Sequence, residues 1–544
     1  MIKSATIMHD DHVFLCADTR IELLTARWHT WPHLLSPIQH ALTLTFRQIP
    51  MIEEFLADPH AHVAMNDDPE MMGAPVLHAG TNDVQALTSL LSQLQTERAP
   101  AIQFARDVVE LQCLLAKDPS GQSLEHMYSA LPPSLRGLVE ITRDHHNRAC
   151  IRIFEELMTG SEIDPASLQE ISLVRLKDAE RPFFLNTPRM YGPDRFDIRV
   201  SFRDPRATSL IAARTWPTKF GDLCDALGIA ESDRARFGTY FTMEGQPRAQ
   251  GAPPKGSVRV RYFGHASVLL ETDAVTILID PMVTWDTADR DGHLTFDDLP
   301  DRIDYVFITH NHHDHFVPEI LWHLRTRIGT VLVPANNLGG LVDPSLQLAL
   351  SSLGIESIQV MRPMQTIQIP GGTLTSLPFL GEHAELSIYS KHALHVALHG
   401  RSMVFLADSR CVDRALYRRL AGRIGRVDAI FVGMECVGAP LTWMYGPYLT
   451  ALVTRREDEG RRLNGSDAER AWAVVEELKP TMVYVYAMGL EPWLSHLAGL
   501  SYSESSPQIL ESDELISRCM NSGISARRLC GCEELEIGTS GHFV

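Results

Sequence analysis

The sequence predicts an α/β protein in two parts: a mixed α/β region over residues 1–245 and a layered α/β domain over residues 258–544. Three observations carry that expectation. Residues 246–257 lie in the run EGQPRAQGAPPKGS, whose Pro, Gly and polar content is that of a linker. Beyond it, short apolar runs alternate with helical patterns, the order of a layered α/β fold. The length, 544 residues with a 44% hydrophobic share, is enough to fill the cores of two domains.

The elements follow in order. Val84, Leu87, Leu90, Leu91 and Leu94 recur at helical spacing, as do Val108, Leu111, Leu114 and Leu115. Asp118-Pro119-Ser120-Gly121 and Pro132-Pro133 mark breaks. Leu135 to Met158 continues the helical pattern and carries His145 and His146 beside Arg143 and Arg148. Adjacent helical residues point about 100° apart, so these two histidines read as solvated or packing groups and not as ligands of one ion. From Ile171 to Phe241 short β-like runs, such as Ile198–Phe202, mix with short helices, and no catalytic motif stands out. After the linker, strands are expected at Val258–Phe263, Ser267–Glu271, Thr276–Ile279, Tyr305–Ile308, Thr330–Val333, Gly372–Leu377, His395–Leu398 and Met403–Leu406. Helices are expected at Pro318–Arg327, Leu346–Leu353, Arg414–Leu420 and Asp467–Leu478.

Composition excludes some functions. With 68 acidic against 49 basic residues the net charge is -19, which disfavours general nucleic-acid binding. The start, MIKSATIMHDDHVFL, has no apolar signal region. The weakly charged run Ala429–Val453 holds only Glu435 as an ionisable acid, but Gly433, Gly438, Pro440, Gly446 and Pro447 interrupt it. It reads as a buried strand and a pocket-lining loop, not a membrane helix. Cys530-Gly-Cys532 is the only tight cysteine pair, without the spacing or second pair of a zinc site. A cytoplasmic protein with no nucleic-acid or membrane partner is expected.

The apolar run Tyr305–Thr309 ends directly in His310-Asn311-His312-His313-Asp314-His315. A strand that delivers so many donors at its C-terminal end is a natural metal site. In this spacing His310 and His312 can face one side and bind one ion. Asp314 and His315 begin the following turn and can reach a second.

This cluster resembles the signature of the metallo-β-lactamase superfamily, which implies an αββα sandwich. Tyr262-Phe-Gly-His265-Ala-Ser resembles the opening strand and turn of its cyclic-lactone hydrolase branch, and Ile277-Leu-Ile-Asp280-Pro its early supporting aspartate. Gly381-Glu382-His383 falls where the superfamily supplies a third ligand to the first ion, and Phe405-Leu-Ala-Asp408-Ser where it supplies a bridging aspartate. Two departures stand out. The hydrolases use a histidine as third ligand, and here Glu382 and His383 compete. They also supply a late histidine, absent from the strand end in Thr481–Trp493, with His496 following in a helical stretch. If Glu382 binds, the set is His310, His312, Glu382, Asp314, His315 and Asp408, and its hard oxygen donors favour iron or manganese over a histidine-rich zinc pair. If His383 binds instead, the alternative is a zinc-dependent hydrolase of a lactone, phosphodiester or thioester.

Over essentially the whole chain, the sequence is similar to the family of diiron β-hydroxylases of chloramphenicol biosynthesis and related nonribosomal peptide pathways. The long N-terminal region, the histidine cluster, GEHAEL with Glu382, LADS with Asp408, and YVYAMGLEPWL carry the resemblance. It implies a dioxygen-dependent diiron monooxygenase that hydroxylates the β-carbon of an amino acid held as a thioester on a peptide-synthetase carrier domain. It also implies that His310, His312 and Glu382 hold one iron and Asp314 and His315 the other. Asp408 then bridges, Glu382 and Asp408 serve as the catalytic carboxylates, and His383 supports. No flavin or nicotinamide fingerprint is present, so the implied external electrons come through a separate reductase. In the family the N-terminal region contributes to dimerisation and covers the site, which implies a homodimer. Arg414, Arg418, Arg419, Arg423 and Arg426 read either as a dock for an acidic carrier or as a solvated helix face. Leu441–Tyr448 reads as pocket lining or core.

Overall fold

Many of the C-terminal strands are apolar on both faces because, in the computed structural model, both faces of their sheets are covered. Phe405 turns inward toward a facing sheet, while its neighbour Val404 turns outward toward helices. The structure describes residues 7–537 except 67, 69–70, 118–120, 246–254, 286–293, 500 and 532. Most of the expected linker, the Asp118-Pro119-Ser120 break and Cys532 therefore lie outside the described residues.

Two seven-stranded sheets form the middle of the C-terminal part. The first runs in the spatial order Ile358–Met361, Ile328–Pro334, Ile303–Phe307, Thr276–Ile279, Ser267–Glu271, Val258–Gly264, Glu533–Ile537. The second runs Thr366–Ile369, Gly372–Leu377, Ala393–Leu398, Arg401–Phe405, Ala429–Gly433, Met482–Tyr486, Ser525–Arg528. Each starts as an antiparallel meander and continues with parallel strands joined by crossover segments. Between them Val260, Tyr262, Leu270, Ile277 and Phe307 meet Leu394, Val396, Phe405, Phe431 and Tyr484. Phe431 stacks on both Phe405 and Tyr484, with ring centres 4.4 and 4.7 Å apart. Helices Arg414–Ile424, Ala468–Leu478 and Pro507–Asn521 cover the outer face of the second sheet. The architecture is an αββα sandwich with an N-terminal α/β part.

That N-terminal part covers the other outer face. Its four-stranded antiparallel sheet, Trp28–His29, Thr19–Thr25, Gln169–Arg175 and Arg195–Arg199, and its helices share one continuous core with Phe263, Leu278, Val306 and Val331 of the first sandwich sheet. The expected helices appear as Val84–Glu97 and Ala99–Leu115. The helical reading of Leu135–Met158 is wrong. Val139–Arg143 and Ala149–Ile153 pair as an antiparallel hairpin. Val139 and Ile141, two apart, turn into the core, and Asn147 takes a left-handed turn conformation (φ 61°). His145 and His146 lie exposed in that turn. The Ile198–Phe202 run is a strand only to Arg199.

Buried ion pairs sew the two parts together. Glu22, fully buried, meets Arg181, Arg189 and Arg195 at 3.4, 3.2 and 3.0 Å. Arg181 reaches on to Glu319 of the helix Pro318–Leu324 at 2.6 Å. Asp178 accepts from the Thr284 hydroxyl and the Trp285 N–H at 2.7 and 2.8 Å. No helix of the described residues is long and apolar enough to cross a membrane.

Candidate metal centre

The strands Thr276–Ile279 and Ile303–Phe307 run parallel with Ile279 beside Phe307, so their C-terminal ends deliver Asp280 and Thr309-His310 to one sheet edge. Asp280 is fully buried. One oxygen accepts the Thr309 N–H at 2.7 Å; the other takes the Thr309 hydroxyl at 2.6 Å and faces His315 Nδ1 at 2.8 Å. With its own hydrogen committed to Asp280, the Thr309 oxygen accepts from His310 Nδ1 at 3.0 Å. Both rings are thereby locked with Nε2 pointing at the space beyond the sheet edge.

The second sheet brings the carboxylates. Glu382 follows the strand Gly372–Leu377, and Asp408 follows Arg401–Phe405. The Glu382 carboxylate sits against His312 Nδ1 and 3.8 Å from His310 Nε2. Asp408 lies 3.0 Å from His315 Nε2 and 3.7 Å from His310 Nε2, between the two groups of donors. His312 is fixed from behind by the Tyr445 hydroxyl, 2.8 Å from Nε2. Donor atoms converge in three overlapping sets: His310, His312, Glu382 and His383; His265, Asp314 and His315; and His310, His315 and Asp408.

Burial alone would raise the Glu382 carboxyl, but His312, His383 and His310 hold it well below the ordinary range. Burial likewise opposes ionisation of Asp314, and His313 and His315 outweigh it. Burial would depress His315, yet Asp408, Asp280 and Asp314 carry it well above the usual imidazole value. Burial and the neighbouring His315 push His310 down, which favours the neutral ring that a metal requires. His310 Nε2, His383 Nδ1, Asp314 Oδ1 and Asp408 Oδ1 are buried without a hydrogen-bond partner, although His383 Nδ1 lies against Glu382. Orphaned donor atoms around one space fit a pair of cations, and three carboxylates among the histidines suit iron or manganese.

A cavity of about 620 Å³ opens onto this space. His265, His312, Asp314, Glu382, Asp408 and Glu435 border it, and Met72, Phe183 and Phe184 of the N-terminal part wall it. Burial and the acids Asp408, Asp314 and Glu382 lift the Glu435 carboxyl well above its usual value.

All six residues singled out as ligands therefore meet at one place. His383 is also nearby, with Nδ1 2.5 Å from Glu382 Oε2, but its Nε2 turns to the Asn311 side chain at 3.2 Å and it does not border the cavity. His496 stands apart, on the short helix Ser495–Ala498 beside the buried arginines. Trp443 and Met444 of the segment Leu441–Tyr448 border the cavity; the segment is largely a helix, Leu441–Tyr445, and not an open loop. Arg414 and Arg418 are bound to Glu477, and Arg426 to Asp428, away from the cavity mouth. The sequence reading missed His265 as a donor: its Nε2 lies 3.1 Å from Asp314 and 3.3 Å from His315. Its place in the Tyr262–Ser267 turn, at the same sheet edge, was the available signal. Glu435 stood out only as the one acid of the weakly charged run read as strand and pocket-lining loop, and the Met72, Phe183 and Phe184 wall had no signal.

Residues 14–245 match the family model described as the diiron non-heme beta-hydroxylase N-terminal domain, and residues 259–372 match a beta-lactamase superfamily domain. The chain is 35% identical over 524 residues to the 4-amino-L-phenylalanyl-[CmlP-peptidyl-carrier-protein] 3-hydroxylase of Streptomyces venezuelae, covering 94% of this chain and 97% of that one. The crystal structure of CmlA, a diiron beta-hydroxylase from Streptomyces venezuelae, superposes with a TM-score of 0.90 at 33% identity over 97% of this chain and 100% of that one. A CmlA glutamate-to-aspartate mutant gives 0.88 at 33% identity over 96% and 100%.

Proposed function

Because this chain belongs to the family of diiron non-haem β-hydroxylases, we propose that it hydroxylates the β-carbon of an amino acid carried as a thioester on a peptidyl-carrier domain in nonribosomal peptide biosynthesis. The observation that carries this reading is Glu382, a carboxylate facing the cavity where hydrolases of the fold place a third histidine. His310, His312 and Glu382 would hold one iron, Asp314 and His315 the other, with Asp408 between them. His265 is a further donor for the second ion. Two irons, when bound, supply the electrons that activate dioxygen for insertion into a C–H bond.

The chain's own residues do the rest. Asp280, Thr309 and Tyr445 fix the ligand rings, and rigid ligands suit a reactive centre. Phe183, Phe184 and Leu497 shield the inner cavity from water. Glu435 adds a carboxyl at the cavity wall whose proton affinity burial and its acidic neighbours raise. Val437, Arg455 and Glu459 are exposed lining residues of the cavity, which supports their side as the end where a tethered amino acid enters while its carrier domain stays outside. External electrons come from a separate reductase, and the working form is a cytoplasmic homodimer. The hydrolase alternative needs His383 as ligand; its Nε2 is taken up by Asn311 and its Nδ1 lies against Glu382, while Glu382 and not His383 borders the cavity.

The test incubates iron-loaded, reduced enzyme with aminoacyl carrier proteins and dioxygen, followed by mass spectrometry of the carrier. Gain of one oxygen atom on the tethered residue is expected. A zinc-loaded, colourless protein that releases the amino acid from the carrier would replace this reading with thioester hydrolysis.

A further inference from the structure

The segment that presents Glu382 is conformationally costly. Gly381, Glu382, Ala384 and Glu385 all have left-handed backbones, with φ of 83, 63, 49 and 62°. Only the first is a glycine, which without a Cβ takes that region freely, and a Cβ there would also stand 2.5 Å from the Arg410 side chain. The other three carry a Cβ that the left-handed conformation disfavours, and the segment lies outside any helix or strand. Something must hold it.

Two cations grip its carbonyls on either side of Glu382 in sequence. Lys391 donates to the Gly381 carbonyl at 3.1 Å. Arg461 donates twice to the Ala384 carbonyl, from Nε at 3.0 Å and Nη2 at 2.8 Å. Arg461 follows directly on the helix Arg455–Gly460, whose Asp458 is anchored to the N–H and hydroxyl of Thr442 at 2.8 Å each. The guanidinium therefore reaches the loop from a fixed base, and both its prongs are spent on one backbone oxygen two residues beyond Glu382.

We propose that Arg461 is a positioning residue for Glu382. By gripping the Ala384 carbonyl it keeps the loop left-handed and the Glu382 carboxylate turned to His310 and His312. The proposal rests on the reading that Glu382 holds a metal. Its mark is an altered metal environment and not merely a less stable protein.

The test compares wild type, Arg461→Ala, Arg461→Lys and the double variant Arg461→Ala/Ala384→Gly as full-length, iron-loaded proteins. Release of iron to a ferrous chelator and the near-infrared magnetic circular dichroism of the diferrous form are read for each. Loss of charge-assisted hydrogen bonds predicts iron release about ten-fold faster in Arg461→Ala, with shifted ligand-field bands. Glycine at 384 removes the Cβ conflict and should recover most of both changes. Arg461→Lys, which keeps the charge but not the fork, should fall between, and it carries the test if Arg461→Ala does not fold. Wild-type release and spectrum in the folded Arg461 variants would overturn the proposal, as would a lowered melting temperature with an unchanged spectrum. A wild-type protein that retains no iron at all would instead bring down the underlying metal reading, and the positioning role with it.

Discussion

Two neighbouring side chains, Glu382 and His383, separate the oxygenase from the hydrolase, and the structure gives them different tasks. Glu382 faces the cavity, and His383 braces it from beside Asn311. Glu382→Ala should therefore cost at least half the bound iron, measured by elemental analysis. His383→Gln should keep full loading at saturating iron, with affinity weakened about ten-fold, the usual effect of losing a supporting partner. A residue far from this chemistry sets a second expectation. Burial lifts the Glu155 carboxyl from 4.5 to about 7, against the opposing hydrogen bond from the Ser36 hydroxyl. The folded chain holds this proton more tightly than the unfolded one. The associated stability is complete below pH 4.5 and lost as pH rises through about 7. Glu155→Gln should raise the melting temperature at pH 8, by an effect worth roughly 3 kcal/mol, and change little at pH 4.5. Equal effects at both pH values would contradict this.

At the scale of elements, the loop holding Asp178 and Arg181 is the main rivet between the two parts of the chain. Arg181→Ala would strand Glu319 and part of the Glu22 charge in the interior, and breaking such a buried pair costs about 3–5 kcal/mol. Denaturant unfolding should show that loss, and a change under about 1 kcal/mol, the level of a surface pair, would show the network to be dispensable. None of this network was legible in the sequence, because its partners lie more than a hundred residues apart and each charge alone looks like surface. The sandwich strands were legible, because runs such as Thr276–Ile279 and Met403–Leu406 are short, apolar and rich in β-formers and stop at turn residues. Leu135–Met158 misled, since its leucines and isoleucines also fit a helical spacing, and only pairing across the Asn147 turn decides for the hairpin. The H-x-H-x-D-H cluster was legible because six residues carry four donors. His265 was not, because it becomes a donor only when the first sheet folds its turn beside that cluster, and Glu435 depends likewise on the second sheet.

At the scale of the whole molecule, the N-terminal part and the first sandwich sheet share one apolar core. Residues 258–537 alone would expose Phe263, Leu278, Val306 and Val331 to water, so a fragment cut at the linker should aggregate or bind hydrophobic dyes. The full chain should unfold in a single calorimetric transition; two separate transitions would indicate that the shared core couples the parts only weakly.

The half of the chain that contributes no group to the metal centre nevertheless builds a wall of the chamber, through Met72, Phe183 and Phe184. Part of the chamber's shape is thus set by a stretch of the gene that supplies none of the ligands. Enlarging the chamber by Phe183→Ala should let bulkier residues be processed, as a competition between differently loaded carriers would reveal, with iron loading untouched. Family members could diversify their products by drift at these few wall positions while the oxidising machinery stays unchanged.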